Sequence, residues 1–271
     1  MSAIKTFLFS AALSTALGLS AANAQDCKPA HEFQPLKAGK LTVALTNTPP
    51  YSLEKDGKIS GIDGELVTRF ATENCLEITY DILNYPAAVS AVQSGRADIA
   101  LGGFYRTAAR DKVTSLSVPV YLDQLSVASV EGYDTVDALV GKKIGTVEGY
   151  DWVMQMEDLY EGSTTYPSSL NLAQDLQAGR LDAALEGFGA AVVLNAGTDV
   201  KVKLLQPDER ITATVNPSQT SFLLSKSNEA LVSAMNSSIE AYRAEGAIAK
   251  VLESYGLDPS AAEVGEGRVI E

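Results

Sequence analysis

Short, nearly continuous apolar runs alternate along this chain with longer stretches of helical period. Leu41-Thr-Val-Ala-Leu45 is apolar at almost every position, the pattern of a strand buried on both faces. Asp63 stands where it can cap a helix whose Leu66, Val67 and Phe70 share one face. Residues 78–83 predict a second strand, 87–92 a helix, and 143–147 another strand followed by a helix from about Asp151. Ala230, Leu231, Ala234, Met235, Ile239 and Tyr242 form one late stripe, and Ile248, Val251, Leu252 and Tyr255 another, parted by Gly246. Strands alternating with helices argue for an α/β protein with parallel or mostly parallel sheets.

An internal repeat divides the pattern in two. Val92-Gln-Ser-Gly-Arg-Ala-Asp-Ile-Ala-Leu101 matches Leu176-Gln-Ala-Gly-Arg-Leu-Asp-Ala-Ala-Leu185 at six of ten positions, offset by 84. Each copy ends a helix at a glycine, which accepts the left-handed cap without a Cβ clash, and then enters an apolar strand. The offset is too long for a solenoid and predicts two lobes of similar plan.

The N-terminus changes the picture of where the fold begins. Lys5, an apolar stretch over residues 7–19 and Ala22-Asn23-Ala24 form the three parts of a secretory signal peptide, cleaved after Ala24. The apolar stretch is shorter than the roughly 20 residues that cross a bilayer. Without residues 1–24 the chain holds 20 basic and 34 acidic residues, a net charge of −14. That balance opposes binding to nucleic acid and to anionic membranes. In an oxidising compartment Cys27 and Cys75 read as one disulfide, with a nucleophile or metal pair as the alternative. His31 is the sole histidine, which argues against His-based triads and multi-histidine zinc sites. No cofactor or metal is expected.

In order and spacing, a series of short motifs resembles the amino-acid-binding group of bacterial extracellular solute-binding proteins, family 3. They are Leu41–Leu45 with Pro49-Pro50-Tyr51, the glycine turn and helix entry at Gly57–Leu66, Gln93–Asp98, Thr107-Ala-Ala-Arg110, Ser117–Tyr121 and Gly141–Gly145. Ile62 departs from the family's usual aromatic. The resemblance implies a two-lobed periplasmic-binding-protein-like fold of type II with two hinge crossings, near residues 121–130 and 211–223. It divides the chain into a first lobe (25–125), a second lobe (126–215), a return to the first lobe (216–257) and a mobile tail (258–271). Ligand is held in the cleft, and the lobes close on it by hinge motion.

The same resemblance implies the site. Arg110 is expected to hold a ligand carboxylate through its two parallel donors. Thr107 and backbone groups near Gly103 and Tyr105 stand beside it, and Tyr51 and Tyr85 supply flat walls. Two positions depart from the family. Gly149-Tyr150-Asp151 stands where Gly-Thr-Thr is usual, and Gly187 where an acid usually grips the α-ammonium. Glu186 is adjacent, but strand neighbours point to opposite faces. The expectation is therefore a ligand that keeps a carboxylate for Arg110 and carries its positive group elsewhere, near Asp151 or Glu186, such as a modified or N-substituted amino acid. The implied role is delivery of a small polar solute to a membrane ABC permease by a monomeric periplasmic protein without chemistry of its own. The alternatives are a cyclohexadienyl-dehydratase-like enzyme on the same fold and a ligand-sensing module.

Overall fold

The computed structural model describes residues 27–270; the expected signal peptide and cleavage site lie outside the described residues. The first part of the chain runs β1 (Lys40–Leu45), β2 (Leu53–Lys55), β3 (Lys58–Ser60), α1 (Gly61–Glu73), β4 (Glu77–Ile82), α2 (Tyr85–Gln93), β5 (Ile99–Tyr105), α3 (Ala108–Val113), β6 (Ser115–Leu116) and β7 (Leu122–Asp123). A second group follows: β8 (Leu125–Ser129), β9 (Ile144–Val147), α4 (Val153–Leu159), β10 (Thr164–Tyr166), α5 (Ser169–Gln177), β11 (Ala183–Gly187), α6 (Phe188–Leu194) and β12 (Lys201–Leu204). The chain then returns through β13 (Ser218–Leu224), α7 (Glu229–Ala244) and α8 (Ala247–Ser254).

Two main sheets result, in the orders β4-β1-β5-β13-β6 and β10-β9-β11-β8-β12, with β2 and β3 paired as a separate hairpin. Both are mixed rather than wholly parallel. β1 pairs parallel with β4 and β5, and β9 pairs parallel with β10 and β11. In each case the long strand that crosses between lobes then adds antiparallel, β13 beside β5 and β8 beside β11. The crossings lie side by side, because β7 pairs antiparallel with β13 through Ser218–Asp123 and Gln219–Leu122.

The repeat is the seam of each lobe. Gly95 and Gly179 take φ of 68° and 69° after α2 and α5. The next amide in each closes back on the helix, Arg96 N to Ala91 O and Arg180 N to Asp175 O, while the glycine amides bond Val92 O and Leu176 O. Asp98 then accepts the Thr42 amide of β1 at 2.8 Å, and Asp182 accepts the Lys143 amide ahead of β9 at 2.8 Å. Asp98 is buried and Asp182 exposed, and each ties the exit of a helix to the neighbouring parallel strand.

The core falls into three clusters. One lies between the first sheet and α1, α7 and α8, around Leu41, Leu45, Phe70, Phe222 and Leu252. One lies on a face of the second sheet, around Leu139, Ile144, Trp152, Met156 and Leu185, and takes in Tyr105 of β5. The third joins the lobes, running from Ala44, Val92 and Phe104 to Val147, Leu172 and Ala184. Cys27 and Cys75 form the expected disulfide, which fastens the N-terminal arm to the residue just beyond α1.

Two expectations are corrected. Asp63 does not cap α1, because the helix begins two residues earlier, at Gly61. A Cβ there would lie 2.6 Å from the Tyr51 carbonyl oxygen, and φ is +90°. Asp63 is buried in the first turn and accepts the Gly102 and Gly103 amides at 2.9 and 2.8 Å and the Tyr121 hydroxyl at 2.8 Å. The segment expected to be a mobile tail is docked. Gln219 Nε2 donates to the carbonyls of Val264 and Glu266, and Arg268 N donates back to Gln219 Oε1. Ile270 exchanges backbone bonds with Arg106 and Ala108. The segment has little apolar surface, and main-chain hydrogen bonds, which composition does not announce, hold it in place.

Candidate functional site

The site is built at the C-terminal ends of β1 and β5, where open α/β sheets present their ligand crevices. Thr107 caps α3, its Oγ1 accepting the Arg110 amide at 3.3 Å, and so fixes the turn that aims Arg110 inward. Arg110 is 8% exposed. Its Nη1 donates to the Tyr105 carbonyl at 2.7 Å, and its Nη2 donates across the cleft to the Gly149 carbonyl at 2.8 Å. The guanidinium also stands 5.1 Å over the Phe104 ring. One side chain of the first lobe thus reaches the backbone of the second. Burial lowers its pKa, opposed by the nearby Asp151.

Tyrosines form the walls. Tyr51 stacks on Tyr121 with ring centres 5.7 Å apart, and its ring fills the space over Gly103, where a Cβ would lie 3.0 Å from Cδ2. Tyr85 opens α2 and donates to the Gly102 carbonyl at 2.6 Å. It meets Tyr150 edge-on at 5.3 Å, one ring from each lobe. Tyr105 ends β5 and lies 6.3 Å from Tyr150. Burial raises the pKa of Tyr51, Tyr105 and Tyr150 well above 10.0, which keeps all three hydroxyls as donors.

The cavity enclosed between the lobes is lined by Tyr51, Tyr85, Gly103, Tyr105, Arg110, Tyr150 and Asp123. Six of these are residues the sequence pointed to. Its volume is about 10 Å³, enough for one water, so the lobes must part before any amino-acid-sized molecule enters.

The second-lobe acids stand outside that lining. Asp151 does not cap α4, whose N-cap is Trp152. Its Oδ1 is sealed from solvent without a partner, and burial lifts its pKa to about 6 against the pull of Arg110. Glu186 follows strand alternation. It sits on the face of β11 turned to α5 and α6, among Ser169, Leu172 and Ala191, not in the cavity. Its Oε1 accepts the Tyr150 hydroxyl at 2.5 Å and the Gly187 amide at 3.1 Å, while Oε2 is buried without a partner. Burial raises its pKa to about 7. Glu186 therefore bears on the cavity only through Tyr150.

Asp123 is the residue that sequence reasoning passed over. It lies on β7 in the first crossing, 5% exposed. Oδ1 accepts the Tyr51 hydroxyl at 2.6 Å and the Gln124 amide at 3.1 Å, and Oδ2 accepts the Tyr105 hydroxyl at 2.6 Å. Burial raises its pKa against the pull of those two hydroxyls. The signal that could have found it is the glycine at 187, which leaves room over β11 for a side chain from a neighbouring element.

Tyr51 also joins the lobes. The Gly189 amide, at the start of α6, donates to its hydroxyl at 3.0 Å, and a Cβ on Gly189 would lie 2.5 Å from that oxygen. Gly189→Ala is expected to hold the lobes apart and weaken ligand binding about tenfold, a cost of ~1.4 kcal/mol. Small-angle scattering with and without ligand should show the loss of contraction, and wild-type contraction would refute it.

Among the described residues no helix is long and apolar enough to cross a membrane, and no group of three or more His, Cys, Asp or Glu side chains is placed to hold a metal ion.

Known proteins share both pattern and shape. The L-cystine-binding protein TcyJ of Escherichia coli K12 is 27% identical over 230 residues, covering 81% of this chain and 84% of that protein. The crystal structure of AbpA from Streptococcus pneumoniae, an amino acid ABC transporter substrate-binding protein bound to L-arginine, superposes with a TM-score of 0.71. It is 26% identical, over 84% of this chain and 97% of that one. The substrate-binding protein of another amino acid ABC transporter gives a TM-score of 0.72 at 21% identity, over 80% of this chain and 99% of that one. Residues 41–258 match the profile of the bacterial extracellular solute-binding proteins, family 3, and the chain belongs to that family.

Proposed function

We propose that this protein captures an amino acid or a close derivative between its lobes and presents it to a membrane ABC permease. One observation carries the reading: a buried guanidinium, Arg110, lies on the wall of an interlobe cavity and bonds both lobes. A ligand carboxylate on that fork would gain two parallel charge-assisted bonds, and closure would shield them from water. The named relatives support the solute class, since those at 26% and 27% identity are a receptor bound to L-arginine and an L-cystine-binding protein. The same reading makes the protein a secreted monomer without catalytic activity. Its signal peptide ends at Ala24 and its site residues are the cavity-lining set with Thr107 and Asp151 beside it. Glu186 acts behind Tyr150.

Isothermal calorimetry with L-arginine, L-cystine and L-histidine tests it. Saturating binding of at least one is expected, with a melting shift that reflects about 2.7 kcal/mol of added stability at 100 times the dissociation constant. Failure of all three to bind the folded protein overturns the reading.

A further inference from the structure

The acid missing from β11 has a spatial replacement. A Cβ built on Gly187 would lie 2.4 Å from Asp123 Oδ2 and 3.1 Å from the Tyr105 hydroxyl. The Asp123 carboxylate therefore occupies the volume that a side chain at 187 would fill. It arrives there from a different element. β11 and β8 pair Gly187 with Leu125, and Asp123 lies two residues before Leu125 on the same crossing. The bare glycine leaves the room in which Asp123 comes over β11.

Asp123 shares the cavity wall with Arg110, so the lining carries one cationic and one anionic side chain. Its hydrogen bonds leave it incomplete. A carboxylate offers about four acceptor positions. The Tyr51 hydroxyl, the Gln124 amide and the Tyr105 hydroxyl take three, two on Oδ1 and one on Oδ2. One position on Oδ2 is free for a further N–H donor. The tyrosine bonds fix the rotamer and keep Oδ2 against Tyr105, which lines the same cavity.

We infer that Asp123, supplied by the hinge strand, grips the ligand's α-ammonium in place of an acid on β11. The inference rests on the reading of the cleft as an amino-acid site and sharpens it: the ligand is an ordinary α-amino acid with a free ammonium, its carboxylate on Arg110 and its nitrogen on Asp123. It replaces the expectation, drawn from Gly149-Tyr150-Asp151 and Gly187 together, of a ligand whose positive group lies elsewhere. It also gives Gly187 a physical requirement, since any side chain there collides with the acid that serves the ligand.

The test pairs each amino acid with its analogue lacking the α-amine: L-arginine with 5-guanidinopentanoate, L-cystine with 3,3′-dithiodipropanoate, and L-histidine with 3-(imidazol-4-yl)propanoate. The pair whose amino acid binds the wild type is then titrated into Asp123→Asn, with the fold checked by circular dichroism. Asp123→Asn keeps shape and an acceptor but loses the charge. It is expected to weaken the amino acid ten- to a hundredfold and the analogue less than threefold. The double variant Asp123→Ala/Gly187→Asp returns the carboxylate to β11 and should recover at least tenfold of the affinity lost in Asp123→Ala. If Asp123 only orients Tyr51 and Tyr105, amino acid and analogue weaken equally and the double variant recovers nothing, which overturns the inference while leaving the amino-acid reading standing. If the wild type binds none of the three amino acids, the reading falls and the inference falls with it.

Discussion

Arg110→Ala is expected to weaken amino-acid binding by about 2–5 kcal/mol, the cost of leaving a buried charge without its partner. At ~1.4 kcal/mol per decade this is roughly 30- to several thousand-fold. The structure sharpens the expectation in two ways. The bond to the Tyr105 carbonyl, within the first lobe, orients the guanidinium before ligand arrives; with the Gly149 bond made on closure, three of its five N–H groups remain for a carboxylate. Because Gly149 belongs to the second lobe, the same substitution removes a bond that favours the closed state. Arg110→Lys keeps the charge but not the fork, and should fall between wild type and alanine. Calorimetric titration of the three proteins with the best-bound amino acid reads the series directly. Wild-type affinity in a folded Arg110→Ala protein would remove the residue from the site.

Much of the architecture was legible because it is local. The repeat at 92–101 and 176–185 encodes the same helix exit, glycine cap and strand entry twice, and the structure uses Asp98 and Asp182 for the same bond in each lobe. The stripes of α7 and α8 and the break at Gly246, with φ of 71°, follow from periodicity alone. What escaped was decided by contacts distant in sequence. Asp63 looks like a cap until β5 lies beside it and offers two amides. The C-terminal segment looks loose until Gln219, 45 residues away, bonds its carbonyls. Both sheets are mixed because the crossing strands add antiparallel, and no periodicity separates a crossing strand from an ordinary one.

The site divides the same way. Tyr51, Tyr85, Gly103, Tyr105, Arg110 and Tyr150 meet around one cavity, each on a motif or turn that the linear chain displays. Asp123 has no such motif. Its role follows from a bare glycine on another strand, which only the folded arrangement can supply. Tyr51 shows how tightly these parts depend on one another. Its hydroxyl donates to Asp123 in the hinge and accepts from Gly189 in the second lobe, while its ring stacks on Tyr121. Wall, latch and acid are thus one hydrogen-bonded unit, so substitutions within it should be non-additive.

The protein is expected to melt at a higher temperature at pH 5 than at pH 8. Burial raises Glu186 from 4.5 to about 7, and Asp151 and Asp63 from 3.8 to about 6. In each case the folded state holds its proton more tightly than the unfolded chain does. Between the two values the native state binds more protons, so stability falls as pH rises from about 4 to 7. For Glu186 alone the shift corresponds to about 3 kcal/mol at ~1.36 kcal/mol per pH unit. The depressed acids do not offset this. Asp208, held down to about 2 by Arg210, and Asp175 and Asp258, also lowered, give up their stabilisation only as pH falls below the ordinary carboxylate range. Glu186→Gln should flatten the profile, since the amide leaves no carboxyl to ionise beside Tyr150 and Asp123. A cationic ligand group reverses the bias by favouring ionised acids. Amino-acid binding near pH 6 should therefore release protons, measurable as a dependence of the calorimetric heat on the buffer's ionisation enthalpy. A melting temperature that falls on acidification from pH 8 to 5, or heats that do not vary with buffer, would show that these buried carboxyls are already ionised in the fold.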